Sequence, residues 1–245
     1  MFFFKKNTPL LSDLIPDDYI DIHSHLLPGI DDGSKDIQET QHLISSLKAI
    51  GFAAFITTPH VYYGVWDNST DGILSTLEKT NAQLDDTVLN AGAEYMMDSY
   101  FFDRLKKQEP LLTLKENYLL VEMSYLSAPI QLYDIIFEIQ LQGYKPVLAH
   151  PERYLYYASN FDELLKLKKS GCLFQLNLLS TTGYYGTAVS KITQKLLDQN
   201  LYDFVGSDVH HQKHVNALNT KLQIKNYSSL HPIIQNNQFF KRPFL

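Results

Sequence analysis

Short apolar runs alternate along this chain with longer amphipathic ones, and that rhythm constrains the fold more than any single residue does. Residues 19–23 read as a strand, and 36–50 as a helix with apolar positions at Ile37, Leu43, Ile44 and Leu47. The same reading places strands at 52–57, 88–94, 118–123, 146–150, 173–177 and 202–206. Helices fall at 72–84, 99–107, 130–142, 161–170 and 188–200, and Gly143 and Gly171 stand where two of them should be capped. Seven strands, nearly all followed by a helix, imply parallel strands joined by right-handed crossovers. No linker, repeat or low-complexity segment divides the 245 residues, and one closed or nearly closed barrel uses that length better than two domains. A doubly wound open sheet is the structural rival.

Composition narrows the class. Hydrophobic residues make up 44% and charged ones 20%, so there is material for a core and intrinsic disorder is excluded. The single cysteine, Cys172, excludes a disulfide scaffold and suits a reducing compartment. A net charge of −6 without a basic block argues against nucleic acid as the main partner. The long uncharged stretches 49–66 and 172–190 are interrupted by Gly, Pro, Thr, Asn and His, so neither reads as a membrane span. Phe2, Phe3 and Phe4 precede Lys5 and Lys6, and the start lacks the apolar core of a secretory signal. It reads as a packed or frayed terminus in preference to a surface-docking one. The cytoplasm is the expected location.

Chemistry concentrates where strands should end. His23 and His25 close the first strand one pleat apart, so both side chains leave the same face and can grip one cation. His60 ends the second strand, Glu94 the third, Glu122 the fourth, and His150 the fifth; Asp208 and His210 follow the seventh. Asp31-Asp32-Gly33 stands in the loop after the His pair. Any one of these taken alone is an ordinary solvated loop residue. A glutamate inside Leu119-Leu120-Val121-Glu122-Met123 is harder to dismiss, because a buried carboxylate needs a cation or hydrogen-bond partners. In parallel α/β folds, sites form at the carboxyl ends of strands, and here six of seven strands end in a metal-ligand residue type. His42, His211, His214 and His231 read as ordinary histidines, with His211 and His214 adjoining the candidate site.

Five histidines (His23, His25, His60, His150, His210), two aspartates (Asp32, Asp208) and two glutamates (Glu94, Glu122) are too many for one tetrahedral ion. They suit two or three ions with bridging carboxylates, and mixed imidazole and carboxylate donors accept manganese, iron or zinc. Four carboxylates against three divalent ions leave a positive surplus that suits a dianionic phosphate.

In order, His23-x-His25, Asp31-Asp32-Gly33, Thr58-Pro59-His60, Gly92-x-Glu94, Glu122, His150-Pro151-Glu152-Arg153 and Ser207-Asp208-x-His210 resemble the PHP (polymerase and histidinol phosphatase) superfamily. Within it, residues 21–39, with Leu27-Pro28-Gly29-Ile30 before Asp31, resemble the bacterial manganese-dependent protein tyrosine phosphatases of capsule and exopolysaccharide gene clusters. The resemblance runs from about residue 19 to about residue 214. It implies one PHP domain over 1–245, with 1–18 as an N-terminal extension, folded as a distorted (β/α)7 TIM-like barrel. It also implies three divalent ions, usually assigned manganese, and hydrolysis of phosphotyrosine on the tail of a bacterial tyrosine autokinase that controls polysaccharide synthesis and export. By position it implies His23, His25, Asp32, His60, Glu94, Glu122, His150, Asp208 and His210 as ligands, and Arg153 as a catalytic phosphate contact. One departure matters. Members of the family place another arginine a few residues past the last histidine, where this chain has His211-Gln212-Lys213-His214. Lys213 can supply a point charge but not a bidentate fork.

The cysteine route to the same reaction needs Cys-x5-Arg; six residues after Cys172 stands Leu178, so Cys172 reads as a core residue. No Walker loop or Gly-x-Gly-x-x-Gly occurs. The rivals are a PHP phosphoesterase acting on a small molecule such as histidinol phosphate, an amidohydrolase-type barrel cleaving C–N bonds, and a catalytically dead module that binds a kinase tail. Retention of all nine ligand types argues against the last. Tyr184-Tyr185, between Gly183 and Gly186, forms either an aromatic rim for the substrate or a plain loop, and the tail 239–245 is expected to pack on the barrel in preference to a partner.

Overall fold

The computed structural model describes residues 8–241. The runs of phenylalanine at 2–4 and the last residues of the tail, 242–245, lie outside that range. The first half contains β1 (Tyr19–Asp21), α1 (Ile37–Lys48), β2 (Phe52–Thr57), β3 (His60–Val61), α2 (Thr70–Asn81), β4 (Leu89–Ala91), β5 (Glu94–Met96) and α3 (Ser99–Lys106). The second half contains β6 (Tyr118–Glu122), α4 (Leu132–Leu141), β7 (Lys145–Ala149), α5 (Asp162–Lys169), β8 (Leu173–Asn177), α6 (Thr187–Asp198), β9 (Phe204–Gly206), α7 (Gln212–Leu218) and α8 (Leu230–Asn236). The rhythm of the sequence has a local cause at the helix starts. Asp36, Ser69 and Asp98 each accept a backbone N–H of the first turn, at 2.8, 3.1 and 2.8 Å. α1 then buries Thr40, Leu43, Ile44 and Leu47 on one face.

Every strand pairing in the two sheets is parallel, in the orders β1-β2-β4 and β3-β5-β6-β7-β8-β9. The two sheets are continuous through the chain. Thr58 and Pro59 link β2 to β3, and Gly92 and Ala93 link β4 to β5, so each pair is one bent strand. The expected strand 88–94 is therefore broken and runs on to Met96. Pro59 has no N–H for the ladder, which interrupts the neighbouring strand at the same level. Two short helices, α7 and α8, were not legible from periodicity; α7 opens in a histidine-rich stretch, and α8 carries Pro232 within its first turn, where a proline is tolerated.

The edges of the sheet meet. Ser24 and Val209 form a parallel bridge, His25 donates its N–H to the Val209 carbonyl at 2.9 Å, and Asp208 donates to the His23 carbonyl at 2.8 Å. This brings β9 alongside β1, as a distorted seven-strand barrel requires and an open sheet does not. Below that bridge the gap is filled by a side chain. The Asn237 amide donates to the carbonyls of Ile20 and Val205, both at 2.8 Å, and accepts the Val205 N–H at 3.2 Å. Asn237 is fully buried. Replacing it with alanine strips partners from three buried backbone groups, and the expected result is a loss of about 3 kcal/mol and a Tm lower by about 8 °C in a thermal melt.

Ile20, Ile22, Ile56, Leu120, Val147, Ala149, Phe204 and Phe240 form an apolar cluster distinct from the larger core under the helices. Its members come from five strands and from the tail. Phe240 packs on Phe204 and Tyr118, the first residues of β9 and β6, with ring centroids 4.9 and 5.7 Å apart. The tail thus closes the amino end of the strands as far as Lys241, with Phe240 buried and Phe239 partly exposed. The carboxyl end is left for polar side chains. Cys172 is buried in the larger core, and burial pushes its thiol up to about 12, so it is a packed residue and not a nucleophile.

Candidate metal centre

At the carboxyl end, the nine expected donors come together. Donor atoms lie within 4.8 Å of one another in four overlapping groups: His25, Asp32, His60 and His210; His23, Glu94 and His150; His23, His25 and Asp208; His60, Glu94 and Glu122. Strand geometry explains the convergence. Glu122 is one pleat beyond Leu120 on the inward row of β6, and Glu94 pairs in register with Leu120. His150 follows β7 directly and Asp208 stands two residues past β9, and both hold left-handed backbone, with φ of 36° and 53°. Non-glycine residues pay a conformational cost there, and such strain gathers at functional sites. The N–H of His150 donating to the Gln175 carbonyl at 2.8 Å, and that of Asp208 to His23, hold the two in place.

The donors are buried far more deeply than bare acids and imidazoles tolerate. Glu94 is fully buried, yet its Oε2 lies 3.2 Å from His23 Nε2 and 3.1 Å from His60 Nδ1 without hydrogen-bond geometry to either. His60 Nδ1 and His150 Nδ1 are also buried without a hydrogen-bond partner. Convergent buried donor atoms without hydrogen-bond geometry between them are what a shared cation would satisfy, so the residues fit a metal centre. The field points the same way. Burial pushes the Asp208 carboxyl up, but His23, His210, His25 and Arg153 outweigh it and hold the group well below the usual range. Burial raises Glu94 likewise, and His23, His60 and His150 reverse it. Burial opposes charge on His25, yet the Asp31 carboxylate pushes it up to about 10. His60 is raised despite burial, by Glu122 and Glu94. The cluster therefore demands positive charge, which either protons or metal ions can supply.

The two adjacent aspartates divide their work. Asp32 has a half-exposed side chain, and its Oδ1 is 3.5 Å from Nε2 of both His60 and His210. Asp31 is buried. Its Oδ2 holds His25 Nδ1 at 2.7 Å and accepts the His60 N–H at 3.2 Å, while Oδ1 accepts the Gly33 N–H at 2.9 Å. Gly33 is required by this turn, since a Cβ there would sit 2.2 Å from the His25 carbonyl oxygen. Asp31 therefore orients the ring whose Nε2 faces the cluster. The expected result of Asp31→Ala is a metal affinity lower by about 10- to 100-fold, read by titration of the metal-free protein.

Other positioning residues carried weaker sequence signals. Gln175 Oε1 meets His23 Nδ1 at 2.7 Å; its only signal was a polar residue in the apolar strand Leu173-Phe174-Gln175-Leu176. Asp21 accepts the Ser207 N–H at 2.9 Å and its hydroxyl at 2.5 Å, tying β1 to the loop that carries Asp208. His214, read as ordinary, is buried and accepts the His210 N–H on Nδ1 at 3.2 Å. His42 and His231 are exposed. In the His-Pro-Glu-Arg run, Glu152 is a bolt: it accepts from Asn177 N, Ser180 Oγ and Tyr202 OH at 2.9, 2.7 and 3.0 Å.

Arg153 donates from Nη1 to Asp208 Oδ2 at 2.7 Å, and Asn177 Nδ2 donates to the same oxygen at 2.8 Å. Asp208 Oδ1 is left facing His23, His25 and His210, each at 3.4 Å. The guanidinium lies over the rings of Tyr185 and Tyr125, 4.1 and 4.7 Å from their centroids. Asp32, His60, Glu122, His150, Arg153, Asp208 and His210 line a cavity of about 270 Å³ together with Tyr62, Trp66 and Tyr125. Trp66 stacks on His60 at 4.7 Å. Lys213 is exposed on α7 and is not among the residues lining this cavity, so it does not replace the second arginine there. Tyr184 is exposed, edge-on to His214.

The sequence profile of the family described as Capsular polysaccharide synthesis, CpsB/CapC, matches residues 19–221. The tyrosine-protein phosphatase YwqE of Bacillus subtilis (strain 168) is 30% identical over 198 residues, covering 79% of this chain and 78% of the relative. The tyrosine-protein phosphatase CpsB of Streptococcus pneumoniae is 29% identical over 202 residues, covering 78% and 82%. A solved structure from work on YwqE and CpsB, described as unique metal-dependent tyrosine phosphatases, superposes with a TM-score of 0.73 at 29% identity, covering 90% of this chain and 85% of that one. Among the described residues, no helix is long and apolar enough to cross a membrane. With the ring of parallel strands and the donor cluster at its carboxyl end, these matches place the chain in the CpsB/CapC family.

Proposed function

We propose that this chain is a single-domain, metal-dependent protein tyrosine phosphatase of the cytoplasm. Its substrate is the phosphotyrosine-bearing tail of a bacterial tyrosine kinase, and its role is control of capsular or exopolysaccharide synthesis. The observation that carries this reading is the convergence of nine buried or half-buried donors beside one arginine at the floor of an open cavity. His23, His25, Asp32, His60, Glu94, Glu122, His150, Asp208 and His210 would hold three divalent ions, manganese first and iron or zinc by the same donor chemistry. Bound ions of this kind supply Lewis-acid charge and lower the pKa of water toward neutrality.

The chain's own residues do the rest. Arg153, 19% exposed at its side chain and braced by Tyr125 and Tyr185, presents its guanidinium at the cavity edge to the phosphoryl oxygens. Tyr62, Trp66 and Tyr125 give the cavity aromatic walls for a phenyl ring. A tyrosyl leaving group, with a pKa of about 10, needs less protonation than an alkoxide, so a dedicated general acid is less critical.

Metal-reconstituted protein should hydrolyse a phosphotyrosyl peptide and lose that activity on chelation. Preference for histidinol phosphate over the peptide would favour the small-molecule reading instead. Arg153→Ala is expected to cut kcat/KM by about 100-fold while metal content stays near wild type, because Asn177 still anchors Asp208. Metal analysis beside the kinetics checks this, and a large metal loss would make Arg153 structural.

A further inference from the structure

Beside the metal cavity lies a second one of about 350 Å³, and the two share Tyr62, Met96 and Ser124 as a common wall. Its remaining lining is mostly apolar: Met97, Ala128, Pro129, Ile130 and Ile135. The segment 124–131 separates the two, with Tyr125 on the metal side and Ser127 to Gln131 on the other. Two large apolar residues of that segment stand in solvent, Leu126 at 90% and Ile130 at 105% relative exposure. A lone exposed leucine needs no explanation, but an apolar lip running into an apolar groove marks a binding surface. One acid sits at the groove. Asp98 lines it while its carboxylate caps α3 through the Phe101 N–H at 2.8 Å.

The chain's own described ends do not reach this place. Leu10 pairs with Lys221, and Phe240 closes the opposite end of the strands. The groove opens directly off the cavity that would hold the phosphorylated ring. Its natural occupant is therefore the peptide that carries that ring.

We infer that this groove is a specificity subsite for a large apolar side chain within three residues of the phosphotyrosine, and that Asp98 disfavours an acidic one there. The inference rests on the tyrosine phosphatase reading and goes further, since it names what the enzyme selects next to the phosphate. The two cavities share a wall, and an extended strand advances about 3.3 Å per residue, so a neighbour within three positions lies up to about 10 Å along the chain from the phosphotyrosine.

The test uses the metal-loaded protein and phosphotyrosyl peptides with glycine flanks, in which leucine or glutamate replaces glycine at each of three positions on either side. p-Nitrophenyl phosphate, too short to extend from the metal cavity into the groove, serves as the reference. At one position at least, leucine should raise kcat/KM over glycine about 10-fold, chiefly through KM, and glutamate should fall below glycine. Ile130→Asp and, separately, Ala128→Trp should collapse the leucine-to-glycine ratio toward one, a readout that partial misfolding would not produce. Turnover of the small ester with equal rates on all peptides would overturn the subsite and leave the phosphatase reading standing. A preserved ratio in both variants would do the same. Loss of all turnover, small ester included, in the metal-loaded wild type would overturn the phosphatase reading and the subsite with it.

Discussion

Replacing His23 and His25 together with alanine should abolish phosphotyrosine hydrolysis, with a loss of about 10³-fold or more, and should lower the bound metal measured in the same preparation. The two Nε2 atoms lie 3.4 Å apart, and each ring belongs to two of the four donor groups. Their removal therefore depletes three groups at once and leaves Glu94 and Asp208 buried with fewer partners. Such acids are costly without compensation, so the variant should also melt earlier than wild type. Circular dichroism would separate this from global misfolding. Full activity with metal retained would defeat the metal-centre assignment.

Chelated protein should lose stability as pH rises, and metal-loaded protein should not. An imidazole whose folded pKa exceeds its unfolded value of about 6.5 stabilises the fold fully below that value and loses its contribution as pH climbs through the folded one. His25, opposed by burial but pushed up to about 10 chiefly by Asp31, is in that position, and His23 and His60 are raised as well. Between pH 6 and pH 9, the unfolded chain gives up imidazole protons that the metal-free fold still holds, so folding becomes steadily less favourable. For His25 alone the loss is on the order of 3 kcal/mol, or about 8 °C in Tm. Bound cations replace those protons and flatten the profile. At the acid end the direction reverses, because Glu94 and Asp208 lie below their ordinary values and their contribution disappears as pH falls through the folded pKa. Melting curves with and without chelator at pH 6 and pH 9 check this. A flat profile in chelator would mean that the imidazoles are not held charged by the fold.

Much of the architecture was readable from local pattern. Strands at 52–57 and 173–177 appear with those bounds, because each is a short apolar run with clear breaks on both sides. The strand expected at 88–94 is divided because the neighbouring Pro59 has no N–H to give the ladder, an effect of the partner strand that no single run displays. The site was legible as a set of residue types at strand ends. The roles of its supports were not. Asp31 and Asp32 look alike in sequence, and only the fold buries one against His25 and leaves the other facing His60 and His210. Glu152 sits in the most recognisable motif of the chain and yet braces Asn177, Ser180 and Tyr202. Gln175 and Asn237 each act across more than thirty residues of chain or on strands far apart in sequence, where periodicity carries no information.

By itself, the sequence determined the order of parallel strands and helices and which end of the strands would be polar. Those follow from apolar spacing and from the alternation of side chains, which are properties of neighbouring residues. The tertiary structure alone decided that β9 meets β1, which of two adjacent aspartates faces the cluster, and that an apolar groove adjoins the metal cavity. Each of these depends on segments distant in the chain being packed together, and only the packed chain sets the distances at which charges and apolar surfaces act.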